Sequence, residues 1–374
     1  MTSSPSASPS ASPPPSPNSR AALKDALRRA SAGRWLLIAG ALGLLVAAVL
    51  TSAGLGVESI GVDRTIRALF SPWLPARWYA DIPPMQLAIL RNLRLPRTLM
   101  AVISGAGLSV AGVAMQGITR NPLVSPYTLG ISPAAAFGAS LAILFGLASI
   151  PGAGHYWTVA AAFVSAIACA SAVLGISVMR GMTSTMLILA GVALTYLFGA
   201  LTATVQFVAT EQQLAAIIQW TFGSLNGSTW EEVGIAGAVL ALVLPLLQSQ
   251  AWALNAFAAG GDDVATSLGF PVARTRLLVT CAAVLATAAI VSFTGVIAFV
   301  GLVAPHIARM LIGGDHRTLL PFAAIVGALL LLVADMVGRL AFAPVIIPVG
   351  IVVAYLGVPL FLHLLLSRRQ ELLA

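Results

Sequence analysis

Charge is what this sequence has least of. Only 9% of its 374 residues are Asp, Glu, Lys or Arg, where a soluble domain carries about 25%. Lysine is reduced to one residue, Lys24, among 20 basic side chains. No GxxxxGK[ST] loop can therefore exist, and the chain cannot hydrolyse ATP by that device. Two cysteines, Cys169 and Cys281, each lie inside an apolar stretch; they exclude a disulfide framework and read as packed thiols. His155, His306, His316 and His363 are too scattered for metal-ligand spacing. Acids and histidines are also scarce within the apolar runs, so a proton relay has little to run on. The basic residues sit singly between those runs rather than on one surface, which excludes nucleic acid as a partner despite the net charge of +8.

What the chain has is apolar length. It is 59% hydrophobic with a mean hydropathy of +0.96, more than a soluble body of this size can hide. Lipid must be its main solvent. Residues 1–19, almost all Ser, Pro and Ala, are expected to be a disordered tail. They have no apolar run, so they do not resemble a signal peptide. Residues 20–34, with Arg20, Lys24, Arg28, Arg29 and Arg34, read as a basic juxtamembrane segment.

Uncharged runs follow at about 35–57, 98–118, 127–149, 158–179, 185–209, 233–250, 277–308, 318–334 and 348–366. A span takes about 20 residues. The run 277–308 would reach about 48 Å as one helix, and Ser292, Thr294 and Gly295 offer a break near 293–296. The expectation is an all-α polytopic protein whose residues 35–367 hold ten transmembrane helices, with a short segment 368–374 beyond. An even count puts both termini on one side. Placing them in the cytoplasm puts 13 basic residues inside and seven outside, as the positive-inside rule asks. Six of the outside seven, Arg64, Arg67, Arg77, Arg91, Arg94 and Arg97, crowd one loop; the seventh is Arg339. The inside loop 251–269 can form two short helices broken at Gly260 and Gly261, with Asp262 or Asp263 capping the second.

Several strings occur in a specific order: Arg94-Leu-Pro-Arg97, Gly112-Val-Ala-Met-Gln-Gly117, Arg120-Asn-Pro-Leu-Val-Ser-Pro126, Leu129-Gly130, Leu189-Ala-Gly191, Gly295 to His306 with Arg309, Asp315-His-Arg317, Ala334-Asp335 with Arg339, Pro348-Val-Gly350 and Gly357-Val-Pro359. From about residue 92 to 367 the chain resembles the FecCD/BtuC-like permeases of ABC importers for iron–siderophore complexes, cobalamin and haem. The resemblance implies the BtuC-like (type II) ten-helix permease fold in an inner membrane. It also implies a second permease copy or paralogue, two separate ABC ATPase subunits and an extracytoplasmic substrate-binding protein. No cofactor is expected.

Carried over by position, Gly261, Asp262, Asp263 and Ala265 lie on the segment that docks into the ATPase. Arg94, Arg97 and Arg339 match positions that meet acids on the binding protein. Asn121, Pro122 and Pro126 match a cytoplasmic turn, Gly295, Pro305 and His306 a helix hairpin, and Pro348 and Gly350 the start of the last helix. His306 reads as a packing group, since a chelated metal travels already coordinated. The family usually has an acid two residues before Pro348; here that place is Ile346. A ferric-siderophore complex is the first expectation for cargo, haem or cobalamin the alternatives. A non-transporting membrane scaffold or receptor is the reading from a different class.

Overall fold

The computed structural model describes residues 17–56, 60–71, 75–341 and 344–367, with side chains between residues 32 and 362. Most of the Ser/Pro-rich tail, the side chains of Arg20, Lys24, Arg28 and Arg29, and residues 368–374 lie outside the described residues.

Fourteen α-helices follow in chain order: α1 Pro17–Gly54, α2 Val62–Phe70, α3 Pro84–Ile89, α4 Leu95–Thr119, α5 Ile131–Leu144, α6 Gly154–Met179, α7 Ser184–Val208, α8 Glu211–Thr221, α9 Trp230–Ser249, α10 Ala251–Ser267, α11 Val272–Thr294, α12 Val300–Ile312, α13 His316–Leu340 and α14 Val349–Ser367. Two units make up the chain, residues 1–40 and residues 41–374; everything below concerns the second.

Ten apolar segments are expected to span. Among the described residues seven helices are long and apolar enough to cross a bilayer: α1 from Ala32, the run Pro84–Thr119, α6, α7, α9, α11 and α13. The other three segments form shorter apolar helices, Ile131–Leu144, Val300–Ile312 and Val349–Leu362. At 1.5 Å per residue, α12 covers only about 20 Å. Its shortness comes from its ends. The chain leaves α11 at Gly295, whose φ of +70° only glycine adopts readily, runs extended, and enters α12 through Phe299; it leaves again at Gly313.

The core is built around α4. The Pro84–Thr119 run is 83% buried over its most apolar window, and glycines let neighbours approach its backbone. A methyl on Gly105 would strike the Gly327 carbonyl of α13, and one on Gly112 the Gly301 carbonyl of α12. In lipid such close approach substitutes for hydrophobic driving force. The Ser109 hydroxyl adds a 2.7 Å hydrogen bond to Ala323 O across the α4–α13 seam.

The arginine-rich stretch before α4 is folded. Arg67 pairs with Asp63 at 2.5 Å and Asp81 at 2.7 Å, while Ile60, Ala68 and Leu90 form a small apolar cluster beneath. The sequence places Arg94 and Arg97 in the loop ahead of the second span. Instead α3, a π-helical segment Leu90–Arg94 and α4 run on as one rod. Pro96 has no amide to give Asn92, and its ring would clash with that carbonyl. A wider π turn just ahead accommodates the missing bond.

Candidate functional site

Two charged centres mark the two ends of α4, about 30 Å apart at helical rise. At its start stands Asp335, on α13, with a fully buried side chain. Arg97 donates from Nε to Oδ1 at 2.9 Å and from Nη2 at 2.8 Å. Arg339, one turn after Asp335, places Nε 3.0 Å from Oδ2. Arg339 also donates to Ser52 O at 3.1 Å and Ser52 Oγ at 2.9 Å, and Arg97 to Asn226 Oδ1 at 3.3 Å. Arg94 donates to Gly54 O at 2.9 Å and Ala53 O at 3.3 Å, satisfying carbonyls that the end of α1 leaves open.

Arg97 and Arg339 are thus not extended side chains awaiting a partner. Each is only 10% exposed, because a guanidinium at this depth requires a carboxylate to offset its desolvation. Arg97 and Arg339 are therefore turned onto Asp335, whereas Arg94 is half-buried. The guanidiniums of Arg97 and Arg339 share one carboxylate here. With Arg94 they line a cavity of about 620 Å³ together with Asn226, Thr229 and Ile346, and no acid lines it among the described residues. An anion entering would meet the Arg97 and Arg339 guanidiniums, which have Asp335 between them, in a partly desolvated space.

At the other end of α4 the segment 251–269 has the expected break. Gly260 and Gly261 leave helical geometry, Gly261 with φ +78°, and two helical pieces flank them. The individual residues differ from expectation. Gly261 is buried, and a methyl there would sit 2.5 Å from Arg120 Nη1. Ala265 is fully buried with Phe257 in an apolar cluster against Phe270 and Val272. Neither can present a side chain to a partner. Only Asp262 and Asp263 of the four are exposed. Asp262 caps nothing: its oxygens lie 2.7 and 3.3 Å from the Arg276 guanidinium.

The first helical piece is fastened to the start of α13. Asn255 donates to Asp315 Oδ1 at 2.8 Å and accepts from His316 N at 2.8 Å. Arg317 forks onto Asp315 and lies 4.3 Å over the Trp252 ring. Hydrogen bonds from Arg317, then from Asn255, hold the Asp315 carboxyl well below the usual carboxylate range.

The remaining motif residues shape backbone. Asn121 Oδ1 accepts from Leu123 N at 2.9 Å, closing the turn that contains Pro122. Pro126 opens a short 3₁₀ helix within a Ser125–Thr128 capping box. Pro305 and His306 lie on α12. Three chain breaks meet elsewhere: Ser224 N donates to Thr294 O at 2.7 Å and Gly350 N to Gly223 O at 3.3 Å, with Pro348 just ahead of α14. Together with α14 they line an apolar cavity of about 520 Å³. Irregular backbone at membrane depth is tolerated where it borders protein or a cavity. Among the described residues, no three His, Cys, Asp or Glu side chains gather as a metal site.

A ten-segment helical chain with no ATPase loop and a charged centre at each end agrees with a family model that matches residues 44–367. The chain belongs to the FecCD transport family. It is 36% identical to the hemin transport system permease of Yersinia pestis, covering 90% of this chain and 97% of that one. It is 35% identical to the cobalamin import system permease of Halobacterium salinarum, over 94% and 100%. With the Fe(3+) dicitrate permease of Escherichia coli K12 it shares 38% identity over 79% and 92%. A solved inward-facing structure of a metal-chelate type ABC transporter superposes with a TM-score of 0.77 at 33% identity, over 88% of this chain and 99% of the other. FecCD proteins are non-catalytic permease subunits that work with separate ATPase subunits, and this chain is the multi-pass permease of such an importer.

Sequence reasoning missed Arg276, Asn226 and the sharing of Asp335. Arg276 counted only as one more basic residue on one side. Its signal was an arginine standing five residues into the apolar helix Val272–Thr294, a place charge occupies only when paired.

Proposed function

We propose that this FecCD permease carries a ferric-siderophore complex from a binding protein to the cytoplasm. In this reading all ten apolar helices span the membrane, both termini are cytoplasmic, the Asp335 end faces outward and the Asp262 end faces the ATPase. A second permease copy completes the pathway. The observation that carries the cargo reading is the string Asn121-Pro-Leu-Val-Ser-Pro-Tyr-Thr-Leu-Gly130, which resembles siderophore permeases more than cobalamin ones. The similarity to the Fe(3+) dicitrate permease supports it. A second reading, haem, is favoured by the hemin permease, which matches nearly end to end.

For the orientation, the guanidiniums of Arg94, Arg97 and Arg339 on the wall of the Asp335 cavity suit acids on a binding protein, and rim charge of that kind tunes encounter and register. Arg120, Arg180, Arg274, Arg276, Arg309 and Arg317 then fall on the cytoplasmic side. The test is uptake into proteoliposomes holding the permease, its ATPase and its own binding protein. Labelled ferric siderophores, haemin and cobalamin are offered separately. Saturable, ATP-dependent accumulation of a ferric siderophore alone is expected; accumulation of haemin or cobalamin alone would overturn the cargo assignment.

A further inference from the structure

The Arg276 side chain is 3% exposed, yet it joins four pieces of the chain. It stands in the second turn of α11. Nη2 and Nη1 reach the two oxygens of Asp262, on the second helical piece of α10, at 2.7 and 3.3 Å. Nη1 donates to Met182 O, in the α6–α7 turn, at 2.5 Å. Nη2 makes a longer 3.5 Å contact with Ile118 O in the last turn of α4. The guanidinium lies 5.6 Å from the centroid of the Phe257 ring, on the first piece of α10. One planar group therefore grips both sides of the Gly260–Gly261 break and two turns that end long apolar helices. Lysine's single ammonium cannot distribute donors in that fork.

The backbone around it carries strain. Among the described residues three non-glycine residues have positive φ, and two belong to this node: Arg120 at +52° and Met182 at +55°. The Met182 carbonyl takes the Arg276 bond, and the Arg120 side chain lies over Gly261. Such backbone persists only where surroundings over-determine it, and it collects at switch and clamp regions.

We infer that Arg276 is the positioning residue that makes the second piece of α10, the ends of α4 and α6, and α11 move as one body, so that displacement of α10 by the ATPase reaches the translocating helices. A packed, hydrogen-bonded body has discrete arrangements and can pass on a small shift without absorbing it. Loosening one member of the node would let α10 follow the nucleotide cycle while α4 and α11 stayed behind. This inference rests on the reading of 251–269 as the ATPase-docking segment.

The experiment uses the full complex of permease, ATPase and binding protein in proteoliposomes. Arg276→Lys keeps the charge and loses the fork. It is expected to assemble and to hydrolyse ATP at a basal rate near the parental one, while cargo moved per ATP falls by about tenfold, a typical coupling between sites. Spin labels at Thr266→Cys and Met179→Cys, with Cys169 and Cys281 replaced, give a readout that a purely structural role would not move. In the parental background their separation stays fixed on adding ATP, because the node is one body. With Arg276→Lys it should become nucleotide-dependent. Parental cargo per ATP together with an unchanged label separation overturns the inference. So does loss of assembly in both Arg276→Lys and the milder Asp262→Asn, which would make Arg276 a fold anchor alone. The docking reading is checked separately in the parental protein, by cross-linking from Thr266→Cys to the ATPase. No cross-link there sinks that reading, whatever the Arg276 variants do.

Discussion

At the Asp335 end of the bundle the carboxylate is the buried partner and guanidiniums reach a cavity wall. At the Asp262 end the arrangement is inverted: Arg276 is 3% exposed and its carboxylate half exposed. The more exposed member of the ion pair is therefore the cation at one end and the anion at the other. They also fail differently. Where several guanidiniums depend on one carboxylate, losing that carboxylate strands two buried charges. Where one guanidinium also bonds carbonyls, losing the carboxylate strands one charge that retains other acceptors. Buried ion pairs are weak evidence of stability but costly to break from one side, and that asymmetry separates the two ends.

The largest effect should come from Asp335→Asn. It leaves Arg97 and Arg339 facing each other with no anion, at a cost of about 3–5 kcal/mol. Thermal unfolding of the detergent-solubilised protein and its yield from membranes should both fall sharply. Arg339→Met should cost less, about 1–3 kcal/mol, since Arg97 keeps its 2.9 Å bond to Asp335. If Arg339→Met proves the worse of the two, Asp335 is not the shared centre.

Asp262→Asn should destabilise by about 1–2 kcal/mol, less than Asp335→Asn, because water already reaches the half-exposed carboxylate and the Met182 carbonyl remains. Equal losses at Asp262 and Asp335, measured by the same melting experiment, would erase the contrast between the ends.

Ile346→Asp sharpens the comparison without removing any existing bond. It adds a carboxylate to the wall of a cavity that three guanidiniums line and, among the described residues, no acid does. Stability should change little, while affinity for the loaded binding protein should fall and lose part of its salt dependence. Titration of the parental and variant complexes against the binding protein at two ionic strengths decides it. Unchanged affinity and salt slope would mean that the guanidiniums at this end attract no partner.

Much of this was legible in the chain, for reasons that also explain what was not. Apolar runs and glycine breaks are local, so the helix order, the stop at Gly295 and the kink at Gly260–Gly261 could be read directly. The length of an apolar helix depends on where neighbours let it begin and end, which is why α5, at 14 residues, came out shorter than its apolar run of 127–149. Side-chain partners are non-local. Arg97 and Asp335 are far apart in sequence, and Arg276 bonds Met182 with the four helices α7 to α10 between them in the chain; nothing in residue spacing announces either pair. Charge on a membrane-protein loop suggests an outward role, whereas burial turned Arg97 and Arg339 onto an internal carboxylate. Ala265 and Gly261 were assigned by motif position; the helix they lie on has an inward face, and they are on it.

The smallest expected effect concerns Asp315, whose environment moves its titration well below the usual carboxylate range. Its carboxyl is held below the usual range by Arg317 and Asn255. A folded-state value below the unfolded one means the charged form stabilises the fold. That contribution is complete above the unfolded value of about 4 and declines only as pH falls toward the lower folded value. Between pH 5 and pH 8 the fastening of α10 to α13 is therefore constant, and the Asp262 end does not respond to pH through this contact. Asp315→Asn should lower the melting temperature slightly, by an amount that does not change between pH 5 and pH 8. The gap should narrow only on acidification below pH 4, as the parental carboxyl begins to protonate. Paired melting curves at each pH measure that gap directly, and a gap that changed between pH 5 and pH 8 would mean the Asp315 carboxyl titrates near its ordinary value and that Arg317 holds it only loosely.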